Sequence, residues 1–223
     1  MKQLALVVLA VVLIIVVPPV APAQFHLGIA PALGMNFNIH SGSDLSSTGT
    51  GFGFVFAGEA DMKFSRTFGM IGRLGFYDNR SGSVSSTGSQ GGVNYTVDNS
   101  VSLAYFNLEP LIAIYLPQSP FFFFAGPSLG FNITGSTETT TTITSPGLTF
   151  PGGSTNQTAK SSLKDVLVRF ELKAGAGYEI PIAKKISIVP QLSFGFGLTN
   201  VVSNFSWHVM SFQLMVPVKF DLI

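Results

Sequence analysis

The stretch Phe25-His-Leu-Gly-Ile-Ala-Pro-Ala-Leu-Gly-Met-Asn-Phe-Asn-Ile39 decides the fold. Its odd positions read Phe, Leu, Ile, Pro, Leu, Met, Phe, Ile; its even positions read His, Gly, Ala, Ala, Gly, Asn, Asn. Side chains alternate between the two faces of a strand, so this is a strand with one bulky apolar face and one small or polar face. Seven further segments repeat the scheme, with bulky faces spanning 52–64, 68–76, 104–116, 121–133, 166–180, 186–198 and 210–222. Strands of about 10 to 16 residues exceed the usual five or six. They are long enough to cross a bilayer with tilt, which takes about 9–11 residues.

The connections alternate in length. Ser65–Thr67, Pro117–Pro120 and Ala183–Lys185 read as short turns. Ser41–Gly51, Asp78–Ser102, Thr134–Asp165 and Asn200–Ser206 read as longer loops of Ser, Thr, Gly and Asn. Short turns at one end and long polar loops at the other mark an outer-membrane barrel, with the short turns facing the periplasm. The expected fold is therefore all-β: an eight-stranded antiparallel up-and-down transmembrane β-barrel.

A soluble barrel also alternates, but with bulky residues inward and charges outward. The charges discriminate. Glu59, Asp61, Lys63, Arg73, Glu109, Arg169, Glu171, Lys173, Glu179, Lys219 and Asp221 all share the parity of the small face. Eleven strand glycines lie on that face and two, Gly58 and Gly72, on the other. A narrow eight-strand lumen needs small residues so that a few long side chains can fit. The Phe-rich face suits lipid, where Arg or Lys at midplane costs about 2–4 kcal/mol. Charge belongs inside and lipid outside.

Composition agrees. The 223 residues are 46% hydrophobic and 10% charged, with 21 Phe and no Cys. That excludes a disordered chain, a disulfide scaffold and a Cys-ligated metal site. Twelve Lys+Arg against eleven Asp+Glu offer no basic surface for nucleic acid. Lys2, the apolar run Leu4–Val17, Pro18-Pro19 and Ala21-Pro-Ala23 compose a secretory signal over 1–23, cleaved after Ala23, leaving 24–223 as the barrel. The apolar run is short of the roughly 20 residues a helical span needs.

Reflection of the second hairpin about Arg66 sets Glu59 opposite Arg73, where inward side chains touch. The sequence thus predicts a luminal ion-pair network of Glu59, Asp61, Glu109 and Glu171 with Lys63, Arg73, Arg169 and Lys173. Four against four is neutral, as a poorly hydrated cavity requires. A structural plug is the expected role; a small gated pore is the alternative. Tyr178, Trp207 and His208 are expected as membrane-interface anchors.

Chemistry has few candidates. His26, His40 and His208 are the histidines, and the pairs His40/Ser41 and His208/Ser206 are the arrangements through which a lipid-modifying acyl hydrolase or transferase would act. No third group is placed to orient either ring. No catalytic, cofactor-binding or metal-binding residue is therefore expected, and no enzymatic activity. The Thr-rich 137–144 run and the 78–102 loop, with Val93, Tyr95 and Val97 alternating, are candidates for binding a surface partner, or else a solvated fringe; the alternation would prolong the hairpin beyond the membrane.

The strings Phe124-Ala-Gly-Pro-Ser-Leu-Gly-Phe131, Ala174-Gly-Ala-Gly-Tyr-Glu-Ile180 and Pro190-Gln-Leu-Ser-Phe-Gly-Phe-Gly-Leu-Thr-Asn200 resemble the outer-membrane β-barrel domain family of Bacteroidetes and related phyla. That family is sometimes called PorT-like and is broadly similar to the OmpX and OmpA barrels. The resemblance spans residues 24–223 and implies a signal peptide, eight strands, residence in the bacterial outer membrane and no catalytic residues. It implies as partners outer-membrane lipid and lipopolysaccharide, the barrel-assembly machinery during biogenesis, and a surface or secretion-system protein. Such barrels often end in an aromatic residue read during assembly, whereas this chain ends Phe220-Asp-Leu-Ile223, so Phe220 or Leu222 is left to serve.

Overall fold

The computed structural model describes residues 25–45, 47–203 and 205–222. The expected export segment and its cleavage site lie outside them.

Among the described residues twelve strand segments form a single antiparallel sheet: β1 (His26–Ser41), β2 (Gly49–Lys63), β3 (Phe68–Asn79), β4 (Gly82–Gln90), β5 (Val93–Tyr115), β6 (Phe121–Ile143), β7 (Asn156–Ser162), β8 (Arg169–Tyr178), β9 (Ile180–Ala183), β10 (Ile186–Ile188), β11 (Gln191–Gly197) and β12 (His208–Asp221). The path β1-β2-β3-β5-β6-β8-β11-β12 closes on itself through β1–β12 pairing, from Gly28↔Asp221 to Ser41↔His208. This is a ring of eight strands, and closure leaves the ring no unpaired edge.

The two faces part as the alternation requires. Phe52 and Phe54 are 70% and 71% exposed on the outside, whereas Arg73 and Lys173 on the inside are each 2% exposed. Leu33, Ile114, Phe123, Leu172, Leu192 and Phe212 continue the outer apolar surface around the ring. An apolar belt of this extent has no place in water and matches the hydrocarbon core of a bilayer. Inside, glycines clear space for large neighbours. A Cβ at Gly195 would fall on the Glu171 carboxylate, and one at Gly177 would strike the Phe122 ring.

Three departures from strict period two shape the interior. At Phe76–Tyr77 the β2–β3 and β3–β5 ladders both shift register. The bulge inserts a residue and flips the parity that follows, so Tyr77 is exposed while Asp78 and Arg80 turn inward and are buried. At Val189-Pro190 the expected seventh strand divides into β10 and β11, because Pro190 has no N–H to give the ladder. At 163–168 the expected sixth strand starts late, at Arg169, after Asp165 adopts φ 56°.

The expected long loops 78–102 and 134–165 are largely strand. β4 pairs with β5 from Gly82↔Val101 to Gln90↔Val93, turning at Gly91-Gly92 with φ of 59° and 81°. β6 pairs with β5 as far as Tyr95↔Ile143, and β7 flanks β6 from Ser136↔Ser162 to Thr142↔Asn156. The result is a four-stranded sheet, β4-β5-β6-β7, standing on one side of the barrel. From Val93 to Ser102 it rises about 30 Å at the usual strand rise per residue. Cross-strand hydroxyl contacts such as Thr140–Thr158 at 3.1 Å and Thr139–Asn99 at 2.8 Å line it. Threonine is β-branched and fits a pleated, half-exposed surface, so a Thr-rich run with polar neighbours extends a hairpin instead of dissolving into loop.

Candidate functional site

The lumen is stacked in four layers between the short-turn end and the sheet end. At the turn end is a polar cavity of about 900 Å³, lined by His26, Asp61, Lys63, Tyr115, Glu179 and Lys219 among others. Lys219 is held by Glu179, by Asp61 at 3.5 Å and by Asp221 at 3.6 Å. Lys63 pairs with Glu179 at 3.0 Å and lies 4.4 Å over the Tyr115 ring, whose hydroxyl donates to Asp61. Asp61 and Lys63, expected in the central network, therefore belong to this mouth. They sit two and four positions nearer the turn than Glu59, which carries them out of reach of the inner charges.

A buried apolar layer floors the cavity: Ile71, Leu111, Ala113, Phe122, Phe124 and Val189. Above it lies the ionic core. Arg73 donates through Nε to Glu59 at 2.6 Å, through Nη1 to Glu109 at 3.0 Å and through Nη2 to Gln191 at 2.5 Å. Glu109 also accepts from Lys173 at 2.6 Å and from Ser128 at 3.1 Å. Lys173 donates further to Gln213 at 3.2 Å. One level higher, Asp78 accepts from Arg80 at 2.8 Å, Arg169 at 2.9 Å, Asn36 at 2.6 Å and Asn107 at 2.5 Å. Arg169 Nε lies 3.3 Å from Glu171, and Arg169 stacks 4.7 Å from the centre of the Tyr105 ring.

The charges of this ionic core are thus Glu59, Asp78, Glu109 and Glu171 against Arg73, Arg80, Arg169 and Lys173, while Lys219, buried as well, belongs to the mouth with Asp61, Glu179 and Asp221. The balance is neutral, as low-dielectric burial demands, but its membership differs from the sequence reading: Asp78 and Arg80 replace Asp61 and Lys63. Strict alternation hides this pair behind the bulge. Its signal was a charged doublet flanking Asn79 directly after an apolar strand, where a loop was the simpler reading.

The fourth layer caps the core at the sheet end. Leu103, Tyr105, Val201, Trp207 and Val209 form a buried cluster. Trp207, expected as an interface anchor, is only 6% exposed and points into the lumen. It shares the inward parity of Val209 and Ser211, and its indole N–H donates to His40 Nδ1 at 3.1 Å. His208 is half-buried on the outer parity opposite Ser41, and its Nδ1 has no hydrogen-bond partner among the described residues. Tyr178 lies at the turn end, 37% exposed and edge-on to Phe121 at 4.6 Å.

The two His/Ser pairs do not form dyads. His40 accepts from Trp207 at Nδ1 and donates from Nε2 to the Ser81 carbonyl at 3.1 Å, so both ring nitrogens are committed and neither is left for Ser41. Ser206 faces the first loop: its N–H donates to Asp44 at 2.7 Å and its Oγ accepts from the Ser43 N–H at 3.4 Å. Among the described residues no group of three or more His, Asp or Glu is arranged to hold a metal ion.

Among known structures, the chain is similar to the attachment invasion locus protein Ail of Yersinia pestis, with 11% identity over 87% of this chain and 99% of that one and a TM-score of 0.40. It is similar to Neisserial surface protein A, with 12% identity over 88% and 97% and a TM-score of 0.38. It is similar to OprG of Pseudomonas aeruginosa, with 9% identity over 90% and 96% and a TM-score of 0.39. No curated protein matches the sequence. The model of the outer membrane protein beta-barrel domain family matches residues 22–203, most of the ring just described. The chain is a member of the outer membrane β-barrel domain family.

Proposed function

We propose that this outer-membrane barrel is non-enzymatic and closed, and that it acts through its projecting sheet, offering a Ser- and Thr-rich surface to a partner outside the cell. The observation that carries this reading is the ionic core: four acids interlocked with four bases, sealed below by Ile71, Leu111, Phe122 and Phe124 and above by the Trp207 cluster. A permeating ion would have to displace several charge-assisted bonds at once, each among the stronger kind of hydrogen bond. The engagement of both His40 nitrogens supports the absence of acyl-transfer chemistry. Residues 1–23 act as the export signal, outer-membrane lipid and lipopolysaccharide surround the Phe-rich belt, and the assembly machinery reads Phe220 or Leu222 at the end of β12.

Planar-bilayer recordings at neutral pH test the closed lumen: reconstituted protein should show no stable conductance, and a large steady conductance would overturn the plug. Mass spectrometry of lipid A from cells with and without the gene tests the chemistry. Unchanged acyl patterns are expected; an altered pattern would establish the lipid-modifying enzyme instead.

A further inference from the structure

The cap of the lumen carries a titratable group that the plug does not use. His40 lies on β1 three residues beyond Phe37, whose partners Phe52 and Phe212 are the last exposed apolar residues of β2 and β12 on this side. At about 3.3 Å per residue it stands roughly 10 Å above them. The ring is buried and bridges two separate parts of the cap. Nε2 donates to the carbonyl of Ser81 in the β3–β4 link, and Nδ1 accepts the N–H of Trp207 at the start of β12. Trp207 is packed against Tyr105, Val201 and Val209 and edge-on to Phe205 at 6.4 Å, so its indole is the side chain that joins the loop before β12 to the cap, beside the hydrogen bonds that hold the loop backbone at Val201 and Ser206.

We infer that His40 and Trp207 form an acid-released latch: a neutral imidazole holds the cap shut, and a proton on Nδ1 ejects Trp207 and opens the lumen to the outside as far as the ionic core. The geometry leaves no third arrangement. The tautomer is fixed by the Ser81 carbonyl, which can only accept, and so Nδ1 must be the unprotonated nitrogen. Protonation there sets donor against donor, since the indole N–H cannot accept. No rotation about the ring axis cures this, because both ring nitrogens of an imidazolium donate.

The charges around the ring act in the same direction. From the β3–β4 link, the Arg80 guanidinium repels an imidazolium at His40. Its countercharge Asp78 is already shared among Arg80, Arg169, Asn36 and Asn107. In the first loop, Asp44 is taken up by the Ser206 N–H. On β12, His208 stands on the outer face, away from the ring, and Val209 is the residue in register with His40. On β2, Gly49 is the register partner and brings no charge. Burial without a carboxylate partner is what lets a single proton decide the state of the cap. For a site that closes only when neutral, each pH unit below the titration of the opened imidazole raises the open-to-closed ratio up to tenfold.

The chain has one tryptophan, so the latch reports on itself. The full-length protein in detergent micelles is titrated from pH 7.5 to 3.5 while Trp207 emission and its quenching by acrylamide are followed. Acid should shift the emission to the red and raise the quenching constant several-fold, with heat-modifiable gel migration showing the barrel still folded throughout. His40→Gln can accept from Trp207 and donate to Ser81 without titrating; its emission should stay blue and insensitive to pH. A flat titration of the wild-type protein would overturn the latch, as would an unchanged titration in His40→Gln. Should His40→Gln disturb the cap at every pH, nitrogen-15 spectra of the wild-type imidazole still decide: an Nδ1–H tautomer at neutral pH would overturn it. The closed lumen stands or falls separately, on conductance at neutral pH.

Discussion

Glu109 is the keystone of the ionic core, and its replacement by Gln offers a sharp test of the structure. Its carboxylate accepts from Arg73 at 3.0 Å, Lys173 at 2.6 Å and Ser128 at 3.1 Å, and it is 1% exposed. Glu109→Gln keeps the volume and one acceptor oxygen but replaces the other by an amide that points donors at donors. Arg73 retains Glu59 and Gln191, whereas Lys173 retains only Gln213. The core then holds three acids against four bases, with Lys173 the uncompensated charge. Breaking a buried pair by removing one partner costs about 3–5 kcal/mol. Urea unfolding in detergent, followed by circular dichroism and by gel migration, would measure it. Lys173→Met in the same chain restores neutrality at three against three, and the double variant should recover at least half of the loss. The coupling follows from the double-mutant cycle, since the two residues touch. A loss below about 1 kcal/mol for Glu109→Gln, on the scale of an exposed pair, would refute a dry core. A double variant no more stable than Glu109→Gln alone would refute charge balance as its organising principle.

Two more outcomes follow from the wall and from the projecting sheet. Leu33, 66% exposed on the outer face midway along β1, should tolerate Phe but lose about 2–4 kcal/mol as Leu33→Arg, measured by the same urea titration; an Arg variant as stable as the parent would place this face in water. Replacing residues 84–99 by a two-residue Asn-Gly turn should leave barrel folding and gel migration intact, because the excised part of β4 and β5 lies above the ring and is largely exposed; loss of the folded barrel would show that the sheet is part of its core.

By itself the sequence determined the strands, their parity and the side on which lipid lies. The reason is local: a period of two with most Phe on one parity and the charges of the regular stretches on the other is fixed residue by residue, and a one-step slip would bring all of it to the wrong face. The Glu59–Arg73 pairing was legible for the same reason, since a three-residue turn sets the hairpin register. What the tertiary structure decided lies where that periodicity is interrupted or where neighbours come from distant strands. The bulge at Phe76–Tyr77 turned Asp78 and Arg80 inward and changed which charges make the neutral core. Ring closure brought β12 beside β1, which joined Trp207 to His40 across 167 positions and made an expected membrane anchor into the cap of the lumen. The Thr-rich segment became strand because β5 and β7 were present to pair with it on both sides. Alternation specifies the face of a residue but not its height in the barrel or its partner across it, and in a closely packed lumen those two quantities decide which charges meet.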